Sequence, residues 1–240
     1  MVDVRSTERL RRSPVRTVKT VVVKLGGARL LEDPLLDEVS ALVRDHWRVG
    51  ERVVLVHGHG QGDQLPAGVA GDVDTVTTLV TRGLLNTTLV GRLVRDGMPA
   101  VGLSGVDLGL VHGASGSWLD GPRLRRLLDE GLVVVLAPVA LNAEGRPIQA
   151  DADDLANAVA KGVAADSLTL LGDEPGRSRH VTGEQVKALL DRDDLPVDLR
   201  ARLQTAAVAL RLGVRDVRLA GLDGAPAGGA AGGLAGGLVG

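Results

Sequence analysis

Val53-Val-Leu-Val56 runs directly into His57-Gly58-His59-Gly60-Gln61-Gly62. Four apolar residues without polar alternation suit a strand buried on both faces of a parallel sheet. The glycines that follow end the strand and let backbone N–H groups approach a ligand closely. The same figure recurs along the chain. Apolar runs at Thr20–Val23, Ala100–Leu103, Val133–Ala137, Ser167–Leu171 and Val217–Ala220 predict further strands. Helix-like stretches lie between them, at Asp74–Asp96, Pro122–Glu130, Asp153–Val163, Gln185–Asp191 and Gln204–Leu212, the last stopped by Gly213. Strand and helix in alternation predict an α/β fold with a mainly parallel sheet.

Composition removes several function classes. The 240 residues contain no cysteine, so zinc–thiolate sites, iron–sulfur clusters, disulfides and cysteine nucleophiles are excluded. There is no Phe and no Tyr, and the only tryptophans are Trp47 and Trp118, which leaves nothing to build a base-stacking platform. The net charge of −2 gives no bulk attraction to nucleic acid or to anionic membranes, and neither is expected as a partner. No 18-residue apolar run and no leader-like start are present, which points to a cytoplasmic protein.

The ends differ from the middle. Residues 1–19 carry six Lys/Arg against Asp3 and Glu8 and read as a basic arm. Residues 223–240 form a Gly/Ala-rich tail whose ordering entropy favours flexibility. One domain, 20–222, remains.

Glycines cluster where strands end: Lys24-Leu25-Gly26-Gly27, the loop from Gly58 to Gly62, Ser104-Gly105, and Gly172-Asp173-Glu174-Pro175-Gly176. In an open α/β sheet, ligands bind at the carboxyl ends of strands, and a lysine there suits a phosphoryl group. Two phosphate signatures fail by spelling. No GxxxxGK[ST] loop exists, and Gly58-His59-Gly60-Gln61-Gly62-Asp63 lacks the third glycine of a dinucleotide fingerprint.

Over about residues 20–221 the loops, in this order, resemble the amino acid kinase family, most closely its acetylglutamate kinase branch and the related kinases of carrier-bound aminoadipate. The pieces that carry the resemblance are Lys24-Leu-Gly-Gly, Val56-His57-Gly58-His59-Gly60, Gly83-Leu-Leu-Asn86, Ala100-Val-Gly-Leu-Ser-Gly-Val-Asp107, Ile148-Gln149-Ala150-Asp151-Ala152-Asp153 and Leu171-Gly172-Asp173-Glu174-Pro175-Gly176. The resemblance implies a three-layer α/β/α sandwich, with an acceptor lobe at about 20–142 and a nucleotide lobe at about 143–222. It implies transfer of the γ-phosphoryl group of ATP to a carboxylate, giving an acyl phosphate in amino acid biosynthesis. Lys24 would neutralise the moving phosphoryl group, Asp153 would orient lysine side chains, and N–H groups of Gly26, Gly27 and Gly60 would hold oxygens. Gly58, Gly172, Asp173 and Gly176 would lie along the nucleotide. His59, Ser104, Gly105 and Gln149 would face the acceptor, a small or carrier-protein-bound amino acid. Mg²⁺ would arrive with ATP, held by phosphate oxygens and water rather than by a protein metal site. A carboxylate acceptor is already ionised at pH 7 and needs no general base. The resemblance also implies a homodimer, or a higher homo-oligomer, paired through Asp74–Asp96.

The chain departs from the family pattern at defined places. Arg202 stands where the family has a second lysine, and the glycines before that position are gone. His59 replaces a glycine. The arginine that clamps the substrate carboxylate would fall near Ala67 and is absent, Gln149 stands for an asparagine, and the stretch from Asp107 to Pro122 is short. The strand expected after Gly221 is replaced by the tail. Two readings follow: a kinase whose acceptor differs from acetylglutamate, or a degenerate relative that binds nucleotide or a partner subunit with impaired catalysis. A kinase of the same fold with a carbamate or phosphate acceptor would need motifs not found here.

Other residues have plainer expectations. His57 and His59 have the spacing of two metal ligands on a strand, but no third ligand is identifiable, so no metal site is expected. Asp151 and Asp154 suit a helix N-terminus. Ser104 has no His partner and supports no hydrolase triad.

Overall fold

The structure is a computed structural model that describes residues 18–26, 32–59, 78–113, 116, 118–172 and 178–220. The elements that position the site are strands β1 (Thr20–Leu25), β2 (Arg52–His57), β3 (Ala100–Ser104), β4 (Val111–His112), β5 (Trp118–Leu119), β6 (Val133–Ala137), β7 (Val139–Leu141), β8 (Pro147–Gln149), β9 (Ser167–Leu171), β10 (Arg179–His180) and β11 (Asp216–Leu219). The α-helices are α1 (Asp33–Arg48), α2 (Asn86–Arg95), α3 (Gly121–Asp129), α4 (Ala152–Gly162), α5 (Gly183–Leu190) and α6 (Val197–Arg211). A π-helical turn, Leu79–Leu85, leads directly into α2.

The main sheet has seven strands in the order β10-β11-β9-β1-β2-β6-β3, all parallel except β10. β1 lies between β2 and β9, with Leu25 opposite both His57 and Leu171. That register ends three strands at one level, so Gly26, Gly58 and Gly172 emerge side by side. The expected α/β architecture with a mainly parallel sheet is therefore present.

The unbroken valine runs feed both faces. Val22, Val54, Val134, Leu168 and Val217 pack with α4 and α6 residues such as Leu155, Val159, Leu203 and Ala206. Val21, Val23, Val53, Leu55 and Val133 pack with Leu36, Val39 and Val43 of α1 and Leu89 and Leu93 of α2. Period-2 side-chain alternation distributes one apolar run to two cores.

Several elements differ from the sequence expectation. α1 was not foreseen, although Leu35, Val39 and Val43 recur at helical spacing behind Pro34 at the helix start. α6 begins at Val197 rather than at Gln204, because Pro196 can precede a helix and the charged first turn still buries Leu199 and Arg202. β11 is not apolar on both faces: Val217 and Leu219 are buried while Arg218 is exposed. The described part of the stretch expected as a single helix over Asp74–Asp96 opens with the π-helical turn. A second sheet has the order β5-β4-β7-β8, and in it the short segment after Asp107 forms an antiparallel pair, with Trp118 edge-on to His112. The expected lobe boundary at 142/143 falls in the turn between β7 and β8. Most of the basic arm, the whole Gly/Ala tail and Asp74–Thr77 lie outside the described residues.

Candidate active site

Lys24 is the fifth residue of β1, and its side chain is only 7% exposed. A buried ammonium needs a partner. Nζ lies 3.0 Å from each carboxylate oxygen of Asp153. Asp153 sits in the first turn of α4, where the helix dipole favours its negative charge. Asp151 caps that helix, its Oδ1 accepting from the N–H groups of Asp153 at 2.8 Å and Asp154 at 2.9 Å. The plain expectation for Asp151 therefore holds. Burial, then the charges of Asp151 and Asp153, raise the Asp154 carboxyl above its usual range.

Thr205 of α6, which sequence reasoning missed, donates its hydroxyl to Asp153 Oδ1 at 2.7 Å, with the Ala201 carbonyl at 3.0 Å. Nothing in its local spacing marked it, because its partner Asp153 lies 52 positions away and meets it only in the fold. Lys24, Asp153 and Thr205 form one chain from β1 through α4 to α6.

Arg202 is buried within the same helix. Its Nη1 donates to the Ala220 carbonyl at 2.6 Å, and its Nη2 pairs with Asp198 at 3.0 Å. Nε is buried without a partner. The guanidinium crosses the end of β9, where a Cβ on Gly172 would lie 2.7 Å from Arg202 Cζ. Gly172 thus leaves room for Arg202.

Gly26 leaves room in the same way, since a Cβ there would lie 2.5 Å from Lys24 Nζ. Its N–H was expected to hold a phosphate oxygen. Instead it donates to the Leu171 carbonyl at 3.0 Å, because β9 runs beside β1 to that level. The Gly58 N–H likewise donates to Leu25 at 2.8 Å. Gly27, Gly60, Asp173 and Gly176 lie outside the described residues.

His59 turns toward the site. Its Nε2 is buried without a partner. Burial holds the imidazole below its usual range; Asp151 and the Pro138 carbonyl oppose that shift, and Lys24 adds to it. His57 is fully buried, and both ring nitrogens are engaged, Nδ1 by the Gly58 carbonyl at 2.8 Å and Nε2 by Asn86 at 3.2 Å. It has no lone pair left for a metal. Among the described residues no three His, Asp or Glu side chains are grouped to hold a metal ion.

Ser104 is committed to Asp107: its hydroxyl and its N–H reach Asp107 Oδ2 at 2.8 and 2.6 Å. Gly105 donates to the Val139 carbonyl at 2.6 Å, fixing the end of β3 against the small sheet. Gln149 ends β8 two residues before Asp151 and is half-buried. A cation, a carboxylate that holds it, and a neutral imidazole beside it therefore stand at the shared end of β1, β2 and β9.

Residues 19–177 match the sequence profile of the Amino acid kinase family. The acetylglutamate kinase of Methanopyrus kandleri is 32% identical over 244 residues, covering 85% of this chain and 95% of that protein. The acetylglutamate kinase of Roseiflexus sp. (strain RS-1) is 29% identical over 238 residues, covering 85% and 90%. Among solved structures, N-acetylglutamate synthase from Neisseria gonorrhoeae with coenzyme A and N-acetyl-glutamate superposes with TM-score 0.68 at 22% identity, over 84% of this chain and 54% of that one. Carbamate kinase from Giardia lamblia bound to AMP-PNP gives 0.61 at 15% identity, over 86% and 94%. At such identities the structures speak for the fold, which is the fold built above. The chain belongs to the amino acid kinase family.

Proposed function

We propose that this chain transfers the γ-phosphoryl group of ATP to the carboxylate of an acylated or carrier-bound acidic amino acid, giving an acyl phosphate in amino acid biosynthesis in the cytoplasm. The observation that carries the reading is the buried Lys24 ammonium, held by Asp153 at the end of β1. Phosphoryl transfer asks for positioning and charge stabilisation rather than covalent help. Lys24 supplies a fixed positive charge at the point where the phosphate loops converge, and Asp153 holds it there through Thr205. Asp153 is occupied by these two partners and serves as an orienting group, not as a base. The neutral His59 Nε2, buried and unpartnered, offers a hydrogen-bond acceptor beside Lys24 and suits an N–H or O–H group of the acceptor.

The residues fit a nucleotide triphosphate. Lys24 provides the cation, and the orphaned Arg202 Nε at the Gly172 turn provides a further donor. Mg²⁺, when bound, would supply charge neutralisation of the phosphate oxygens, held through ATP itself.

A specific observation favours a second reading. Arg202 spends two of its nitrogens on Ala220 and Asp198, so the second cation of the site is internally engaged. A chain limited in this way would bind nucleotide with little turnover. Incubation with ATP, Mg²⁺ and hydroxylamine across a panel of acetylated and carrier-linked acidic amino acids separates the two. Hydroxamate from one acceptor supports the kinase and names its substrate class. ATP binding without hydroxamate from any acceptor favours the degenerate relative.

A homodimer paired through α2 belongs to the same proposal. The outer side of this segment presents Leu84, Thr87, Gly91 and Val94, all exposed and mostly small, which lets a second helix approach closely.

A further inference from the structure

The proposed chemistry leaves one buried polar network unused. It starts at His57, the last residue of β2. A carbonyl oxygen can only accept, so the 2.8 Å contact to the Gly58 carbonyl places the proton on Nδ1. Nε2 then has a lone pair, which faces Asn86 Nδ2 at 3.2 Å. The other amide hydrogen of Asn86 points to the Val135 carbonyl at 3.0 Å, with the Leu103 carbonyl more distant at 3.5 Å. Asn86 Oδ1 accepts from Arg82 Nη1 at 3.3 Å. Arg82 Nη2 donates to the Gly102 carbonyl at 3.1 Å, and its Nε faces Asp107 Oδ2 at 3.4 Å. The same carboxylate oxygen receives the Ser104 hydroxyl and N–H. Donor and acceptor alternate consistently at every link.

The fold accommodates this chain at a cost. Asn86 and His57 are fully buried in an otherwise aliphatic layer, where each of their polar atoms must find a partner within the protein. A Cβ at Gly102 would overlap Asn86 Oδ1, so β3 needs a glycine opposite the amide. The helix is rewound into a π turn in which the Asn86 N–H reaches the Thr81 carbonyl, five residues back, and Arg82 and Asn86 face the same network. Such turns are rare and concentrate at functional sites. Burial lowers the His57 pKa to about 4, against the Gly58 carbonyl and with the charges of His59 and Arg82, and so keeps the ring neutral.

The two ends of the network are two loops of the candidate site. His57 grips the carbonyl of Gly58, next to His59; Asp107 grips Ser104, next to Gly105. We propose that Asn86 is a positioning residue: by holding His57 Nε2 on one side and the Arg82–Asp107 pair on the other, it sets the spacing between the Gly58–His59 loop and the Ser104–Gly105 loop that flank the acceptor. The link itself stands on the geometry, and its effect on the acceptor rests on the kinase reading.

Two arms test it on the full chain. In ¹⁵N NMR, wild-type His57 should show the Nδ1–H tautomer. Asn86→Leu should remove the hydrogen bond to His57 Nε2, shifting that nitrogen's resonance, and shift the amide resonances of Gly58, His59, Ser104 and Gly105 together. In the hydroxamate assay the same variant should raise KM for the acceptor by about tenfold while KM for ATP changes by less than about twofold. Asn86→Asp keeps the acceptor toward Arg82 but loses the donor toward His57, so its resonance changes should be largest at Gly58 and His59. If Asn86→Leu does not fold, Arg82→Met replaces it, and should shift Ser104 and Gly105 while leaving the His57 tautomer intact. An Nε2–H tautomer in the wild type overturns the proposal. So does a folded Asn86→Leu protein with unmoved resonances at Ser104 and Gly105, or with both KM values unchanged. If the wild type forms no hydroxamate, the kinase reading fails and the NMR arm alone decides the network.

Discussion

Lys24 Nζ stands 3.0 Å from both oxygens of Asp153, a residue 129 positions further along the chain. The first strand of the sheet and the first turn of α4 are thereby tied at one charged contact. An ammonium so placed is fixed in direction before any ligand arrives, and electrostatic stabilisation of a developing charge depends on that preorganisation.

Lys24→Met should therefore abolish hydroxamate formation, by about 10²-fold or more in kcat, with the fold retained. Retention is expected because Asp153 is 30% exposed on its side chain and can be solvated once the lysine is gone. Activity assays beside far-UV circular dichroism check both halves. Unchanged turnover would remove Lys24 from the chemistry.

Thr205 acts on Lys24 only through Asp153. Thr205→Val keeps the shape and removes the hydroxyl, freeing Asp153 Oδ1 to reorient with the lysine. The expected result is a fall in kcat of about tenfold with a smaller change in KM for ATP. Thr205→Ser restores the donor and should restore the rate. A valine variant as active as the serine variant would show that Thr205 serves packing alone.

Arg202→Lys separates charge from geometry. Lysine keeps the charge but cannot span Ala220 and Asp198 with a planar fork. The loss of one charge-assisted hydrogen bond should lower stability by about 1.5–3 kcal/mol, read from denaturant unfolding. If turnover rises in the same variant, the arginine had been withholding the second cation of the site. If turnover is lost completely, the guanidinium geometry is itself required.

Much of this was legible in the sequence. Five strands of the main sheet were readable from unbroken apolar runs, while the sixth run, Val217–Ala220, hides the exposed Arg218 of β11; the strand-end glycines follow three of these strands at one level. Lys24 and Asp153 came from motif register, and the fold brings them within 3.0 Å of each other. Other features depend on contacts distant in sequence. The N–H of Gly26 looks free in a loop, but β9 takes it. His59 could have pointed to solvent, and only the fold places it beside Lys24 and Asp151. Arg202 was readable as a replacement cation, while its bonds to Ala220 and Asp198 were not. Thr205 carries no spacing signal of its own without Asp153 opposite it. The π turn before α2 is likewise invisible to a 3.6-residue periodicity: Asn86 closes it, and its partners Gly102 and His57 lie far off in sequence.

The outer side of α2 predicts an oligomer. Light scattering on the eluting protein should give twice the chain mass, and Gly91→Arg should give the monomer, since a long side chain replaces the point of closest approach. A monomeric wild type removes this face as an interface.

The pH dependence of stability follows from His57. Its folded pKa, about 4, lies below the ordinary value of 6.5, so the unfolded chain binds more protons between those values. Stability is then full above about pH 6.5 and falls as pH drops toward 4, where the loss from this group levels off. A shift of that size corresponds to roughly 3 kcal/mol. His59 is lowered as well and adds to the same trend. Denaturant midpoints for the wild type and His57→Asn at pH 7 and pH 4.5 check it. Asparagine carries no titrating ring, so the variant should be less stable at pH 7 yet lose much less on acidification. Parallel losses in both proteins would mean that carboxylates elsewhere, and not the buried imidazole clamped between Gly58 and Asn86, govern acid stability.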